Sequence, residues 1–254
     1  MDMVYKEIPG APFTNTVDTI KAGTRDQQVT GVVTTMFATR PIIEQAAAMG
    51  ANFIIAHEPT FYNHTDDKKW AGDNHIVQQK EQLLQDRKIA VWRLHDYIHS
   101  FHPDGVFAGV VQQAGWLSYY KNESPVLELP TQTLGNLVGH LKKTLGIDHL
   151  RVIGHLSQSC RRVAMIPGAA GGQAHLRLIE KERPDVLIVG EIHEWETGEY
   201  IRDSYAFGSK TVLVVLGHSV SEEPGMQWFR DWLAPKLPGI KVQHLVSGSP
   251  FTWV

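Results

Sequence analysis

Short apolar runs alternate with helix-patterned segments from residue 29 onward, and this alternation restricts the fold more than any other feature of the chain. Residues 29–37, rich in Val and Thr, read as a strand. Residues 41–49 read as a helix, with Pro41 in the first turn and Gly50 at its stop. Residues 52–56 form a second expected strand, 76–86 a one-sided helix and 89–94 a third strand. Residues 105–115 read as a short helix. A βαβαβ series of this kind predicts a parallel sheet with right-handed crossovers.

The second half repeats the theme. Residues 126–129 are expected as an edge strand, 133–145 as a helix capped by Thr133, and 152–154 and 163–166 as short strands. A loop of small residues, Gly168-Ala169-Ala170-Gly171-Gly172, precedes an expected helix at 173–181. Strands at 186–189 and 211–216 flank a helix at 195–205. Ser221 is positioned to cap a helix that turns Met226, Phe229, Trp232 and Leu233 inward, and 242–246 reads as a closing strand. The expected architecture is α/β, with two similar packed α/β halves, mostly parallel mixed sheets, flanking helices and a metal site in the cleft between the halves. Residues 1–120 and 121–254 would be the two halves of one compact unit, with the boundary in 117–128.

Composition narrows the function. Net charge is −3, which gives no general attraction to nucleic acid or to an anionic membrane. No apolar run reaches membrane-spanning length, and the first twenty residues carry Asp2, Glu7 and Asp18 instead of a signal-type apolar core. A cytoplasmic location and no membrane partner are therefore expected. Cys160 is the single cysteine, so neither an intrachain disulfide nor a multi-thiolate metal site can form. Any metal must sit on nitrogen and oxygen, and thirteen histidines supply the nitrogen.

Spacing places those histidines. His57-Glu58 follows the second strand and stops at Pro59; His95-Asp96-Tyr97-Ile98-His99 follows the third. Glu191-Ile192-His193-Glu194 follows 186–189, and His218 with Glu222 follows 211–216. The carboxyl ends of parallel strands share one edge, where sites in open α/β sheets are built. Imidazole with carboxylate suits zinc, iron, manganese or nickel better than magnesium or calcium. A single histidine after a strand is more often a hydrogen-bonded loop residue than a ligand, and Glu222 in a first helical turn also offsets the helix dipole. The coincidence of four such strand ends favours metal. The glycine loop at 168–172 suits either a phosphate cradle or a plain tight turn; it lacks the lysine of a P-loop. Trp228, Phe229 and Trp232, at helical spacing, read as core or subunit-interface residues.

Several blocks, in order, resemble the GTP cyclohydrolase I type 2-like (Nif-three-like) family of dinuclear-metal proteins. Val17-Asp18-Thr19-Ile20-Lys21-Ala22-Gly23 is similar to its start, and Val29-Thr30-Gly31-Val32-Val33 leading to Ala38-Thr39 to its first strand. Ala51-Asn52-Phe53-Ile54-Ile55-Ala56-His57-Glu58-Pro59 resembles the block ending His-His-Pro, and Leu94-His95-Asp96-Tyr97-Ile98-His99 the His-Thr-Asn-Leu-Asp block. Gly217-His218-Ser219-Val220-Ser221-Glu222 is similar to the closing Gly-His-x-x-Ser-Glu, the most specific of these motifs. The likeness spans about residues 17–235.

The resemblance implies that His57, His218 and Glu222 are ligands. Glu58 stands where the family has a second histidine, His99 where it has a ligating aspartate, and Phe37 where it has another aspartate. One histidine has become glutamate and one aspartate has become histidine, so ligand number and formal charge are kept. His95 matches a family histidine and is expected to ligate or to support the ligands. The family further implies two divalent transition-metal ions, a small-molecule substrate and a homo-oligomer, by resemblance a hexamer. The expected activity is a metal-dependent hydrolase in which two ions activate water against a small, anionic, phosphate-bearing substrate, with Glu191, His193 or Glu194 as acid or base. The alternatives are a metal-binding interaction or storage protein without turnover and, more weakly, a metal-free scaffold.

Overall fold

The structure, a computed structural model, describes all 254 residues. Its strands in chain order are β1 (Ile20–Ala22), β2 (Gly31–Thr35), β3 (Phe53–Ala56), β4 (Ala90–Arg93), β5 (Val126–Thr133), β6 (Arg151–Ile153), β7 (Ser159–Ile166), β8 (Val186–Val189), β9 (Val212–Val215) and β10 (Lys241–His244). They form two five-stranded mixed sheets flanked by helices, the expected α/β architecture. The chain divides into two compact units: residues 1–106 with 225–247, and 107–224 with 248–254.

The first unit holds the sheet ordered β1-β4-β3-β2-β10. β4, β3, β2 and β10 are parallel, and β1 pairs antiparallel with β4. All residues of β2 and β4 are buried, as expected of parallel strands covered on both faces. The crossover from β2 to β3 is the helix Arg40–Ala48; Thr39 Oγ1 accepts from the Ile42 N–H at its start, and Pro41 sits where a free N–H is not needed. The crossover from β3 to β4 is the helix His75–Asp86, with the Asn74 side chain accepting from the Ile76 and Val77 N–H groups. Successive strand residues face opposite sides. Val33, Ile54 and Val91 therefore pack with Ile42, Ile43, Val77 and Leu84, while Val32, Ile55 and Trp92 pack with Tyr97, Ile98, Met226 and Phe229. Each such aliphatic side chain contributes about 1.5–3 kcal/mol by leaving water. Trp228 and Trp232 meet Phe101 edge-on at 5.5 and 5.1 Å, which packs these two partly buried aromatics against the core of this unit.

The second unit holds the sheet ordered β5-β7-β8-β9-β6, with β7, β8 and β9 parallel and β5 and β6 antiparallel at its two edges. The helix Leu134–Leu145 is capped by Thr133, turns Leu134, Leu137 and Leu141 inward, and ends at Gly146 with φ 68°. Its stripe joins Val163, Val186, Ile188, Val212 and Val214, whereas Leu187, Val189, Leu213 and Val215 pack with Ile179 and Ile201.

Some local expectations shift. The last long helix runs His218–Leu233, so it starts three residues before Ser221, which lies inside it and is not its cap. The expected helix at 195–205 is a π-helical turn, Glu194–Gly198, followed by an α-helix, Glu199–Ala206. β1 was not expected from sequence, and β5 and β7 are longer than expected.

Candidate metal centre

The parallel register sets the first cluster. Ala56 of β3 stands opposite Arg93 of β4, so the chain leaves both strands at one level and delivers His57 and His95 side by side. Their rings stack, with centroids 4.8 Å apart and planes 19° from parallel. His99 lies one helical turn after His95, on the same face of the short helix Asp96–His99. Its ring meets those of His57 and His95 edge-on at 5.3 and 5.2 Å. One ligand atom from each of His57, His95 and His99 falls within 4.8 Å of the others.

The second ring nitrogens explain the orientation. His57 Nδ1 lies 3.0 Å from the Leu94 carbonyl, which can only accept, so Nδ1 carries the proton and Nε2 is the lone-pair nitrogen. His99 Nδ1 pairs with Asp104 at 2.9 Å and His95 Nδ1 with Asp96 at 3.0 Å. This is the carboxylate or carbonyl support that metal-ligating histidines use to fix tautomer and ring. Burial, then the neighbouring His57, pushes the His95 pKa down to about 4, so at neutral pH the ring is in the neutral form that ligation requires. Glu58 adds an oxygen. Its Oε1 lies 3.9 Å from both His57 Nε2 and His95 Nε2, and its Oε2 lies 3.5 Å from Arg93 Nη2. In residue type, spacing and tautomer, this donor set fits a late divalent ion.

Two residues that motif reading missed hold this arrangement. Asp18 is buried, and its carboxylate accepts from the N–H groups of His95, Asp96 and Tyr97 at 2.7, 3.1 and 2.8 Å, so it caps the helix that carries His99. Arg93 is buried at the end of β4, and its guanidinium donates to the carbonyls of His57 and His64 while facing Glu58 and Asp66. Neither has a local sequence signal; Asp18 lies in the segment 17–23, and nothing in its spacing marks it as a cap.

The second cluster lies wholly in the second unit. β9 ends at Val215, and Gly217, with φ 99°, turns the chain into the helix that opens with His218. Glu222 is one turn on, and the His218 Nε2 to Glu222 Oε2 distance is 3.0 Å. Glu191, from the end of β8, brings Oε2 to 3.5 Å from His218 Nδ1. The glycine loop makes room for this pair. A Cβ on Gly168, whose φ is 70°, would lie 2.0 Å from Glu222 Oε1. Ser221 Oγ accepts from the Gly168 N–H at 2.9 Å and donates to the His218 carbonyl at 2.7 Å, tying the loop to the helix start. The Gly168 end of the loop therefore receives a carboxylate of the protein itself. At the other end, a Cβ on Gly172 would meet the Glu196 carboxylate at 2.3 Å.

The remaining expected site residues fall elsewhere in this unit. His193 pairs with Glu196 at 3.2 Å and stacks on the exposed Trp195. Glu194 pairs with Arg151 of the edge strand β6 at 2.6 Å. Of the three residues expected as acid or base, Glu191 is the one beside a candidate ligand.

The family described as Duf34/NIF3 (NGG1p interacting factor 3) matches residues 19–250. The chain belongs to the Duf34/NIF3 family. Within that frame it is 22% identical over 215 residues to a GTP cyclohydrolase 1 type 2 homolog from Clostridium perfringens, covering 81% of this chain and 78% of that protein. A Bacillus cereus protein related to NIF3 superposes with a TM-score of 0.76 at 14% identity, covering 100% of this chain and 98% of the other. A Staphylococcus aureus protein gives a TM-score of 0.77 at 18% identity, covering 100% and 97%. The shared fold extends over the whole Duf34/NIF3 chain. No helix is long and apolar enough to cross a membrane.

Proposed function

We propose that this Duf34/NIF3 protein is a metal-dependent hydrolase with a dinuclear centre and a small, anionic substrate. The observation that supports it best is the set of imidazoles on His57, His95 and His99, each with Nδ1 held and with ligand atoms converging within 4.8 Å. Glu58 adds a carboxylate donor at that cluster, and within the second unit the His218–Glu222 pair is a further candidate donor set of the kind the family resemblance implies. When bound, divalent ions of this kind acidify a coordinated water and polarise a carbonyl or phosphoryl oxygen.

The chain's own residues divide the remaining work. Asp18 and Arg93 hold the ligand-bearing segments in place, and the pinned tautomers keep the donor nitrogens free of protons. Glu191, beside His218, is the group best placed to accept or return a proton. Support for a hydrolase also comes from the name of the Clostridium relative, which concerns that protein and leaves the substrate of this one open.

The test is elemental analysis of purified protein together with a hydrolysis panel of nucleotides, phosphoesters and amides. About two late divalent ions per chain, metal-dependent turnover, and loss of both in His57→Ala and His218→Ala are the expected results. Bound metal without turnover of any substrate class would refute the hydrolase reading, and metal at background would refute the centre itself.

A further inference from the structure

A fourth histidine stands at the first cluster and belongs to none of the strand-end motifs. His64 is exposed, seven residues after His57, and its ring faces His95 edge-on with centroids 5.6 Å apart and planes at 85°. Its position is set by a loop built to hold it. The buried Arg93 donates to the His64 carbonyl from the end of β4. Asn63 Nδ2 donates to the carbonyls of Phe61 and Asp67 at 3.1 and 2.7 Å, Asp66 accepts from the Phe61 N–H at 2.7 Å, and Phe61 itself is buried. Lys80 Nζ donates to the Thr60 carbonyl at 2.7 Å, and Lys21 lies 3.4 Å from Asp66.

The loop is also strained. Tyr62 has φ of 64°, in the left-handed region that an aromatic residue rarely enters, whereas Asp66, at 57°, is of a type that tolerates it. A residue of that kind persists where the surroundings over-determine it, most often at functional sites. A loop that needed only to connect β3 to the next helix would not require a strained aromatic residue and cations from β1, β4 and the helix His75–Asp86.

We propose that His64 is a further imidazole donor of the metal centre, closing the His57, His95 and His99 cluster from the solvent side and biasing it toward late, borderline ions such as zinc, cobalt and nickel. This inference rests on the metal-centre reading above and adds to it a ligand and a metal preference. The chemistry follows from ligand type. Imidazole favours zinc, nickel, iron and copper, whereas carboxylate and water favour manganese and magnesium. The ring is exposed on a backbone held by Arg93, so a change of χ rotamer is the movement that this ligation requires.

The experiment is metal titration of the apo-protein with Zn²⁺, Co²⁺ and Mn²⁺, in the wild type and in His64→Ala, His64→Gln and His57→Ala, together with the visible spectrum of the Co²⁺ form. The expected result is that both His64 variants keep the wild-type thermal midpoint without metal but lose about tenfold or more in Zn²⁺ and Co²⁺ affinity, as removal of a supporting metal-site group typically does. Mn²⁺ affinity should change much less, and the Co²⁺ bands should shift in position and intensity. If His57→Ala abolishes binding while the His64 variants match the wild type in affinity and Co²⁺ spectrum, the His64 inference falls and the metal centre stands. If His57→Ala also leaves every affinity unchanged, the metal-centre reading falls with it.

Discussion

Replacing His95 with Gln should flatten the acid limb of the apo-protein's stability curve, and the size of the effect follows from the buried ring. Burial and the adjacent His57 lower the His95 pKa from 6.5 to about 4, against a weaker opposing contribution from Asp96. Above pH 6.5 the ring is neutral in both folded and unfolded chains, so it adds no pH dependence. Between pH 6.5 and 4 the unfolded chain takes up a proton that the folded one refuses, so stability falls as pH falls through this window. A depression of this size corresponds to roughly 3 kcal/mol. Urea unfolding of chelator-treated wild type and His95→Gln at half-unit pH steps from 7 to 4 measures it. The wild type should lose about 3 kcal/mol more than the variant across the window. Identical slopes would show that His95 is not held neutral by burial, and would remove the argument that the folded protein presents it ready to ligate.

Gly168→Ala should weaken metal binding at the His218 set more than it weakens the fold. The added methyl would sit 2.0 Å from Glu222 Oε1 at a φ of 70°, so the carboxylate must leave His218; calorimetric titration with Zn²⁺ should show one class of site weakened, with a thermal midpoint only a few degrees lower. Lys80 is pushed down to about pKa 8 by burial, so wild-type stability should rise between pH 8 and 10.5 as the unfolded chain alone holds the proton, and Lys80→Met should rise less steeply over that range in urea unfolding. Arg93→Met leaves the Glu58 carboxylate without its buried cation and Asp66 with Lys21 alone, and should cost about 3–5 kcal/mol by chemical unfolding. Leu137→Ala, in the core of the second unit, should cost about 2–5 kcal/mol by the same assay without changing metal stoichiometry.

The parallel inner strands were legible because burial on both faces demands continuous apolar runs: the expected strand at 186–189 coincides with β8, and those at 52–56 and 211–216 differ from β3 and β9 by one residue at each overhanging end. The histidines of the candidate site were legible for the same reason, since a strand end is a local feature and parallel strands align their ends. The register Ala56 to Arg93 then brings His57 next to His95, and helical spacing brings Glu222 next to His218.

Other features depended on partners far away in the chain. β1 has three partly buried residues and no apolar period, and exists because Ile20 and Ala22 meet β4 some seventy positions later. Asp18 caps a helix that begins 78 residues on, and Arg93 reaches back 29 residues to His64 and 36 to His57. Sequence by itself determined the α/β alternation and the strand ends that carry the candidate ligand residues, because periodicity and chain order are local properties. The tertiary structure alone decided which nitrogen of each histidine is held, which buried charges hold the loops, and that His64 faces the cluster. Those depend on hydrogen bonds and ion pairs closed across long loops, which residue spacing along the chain does not encode.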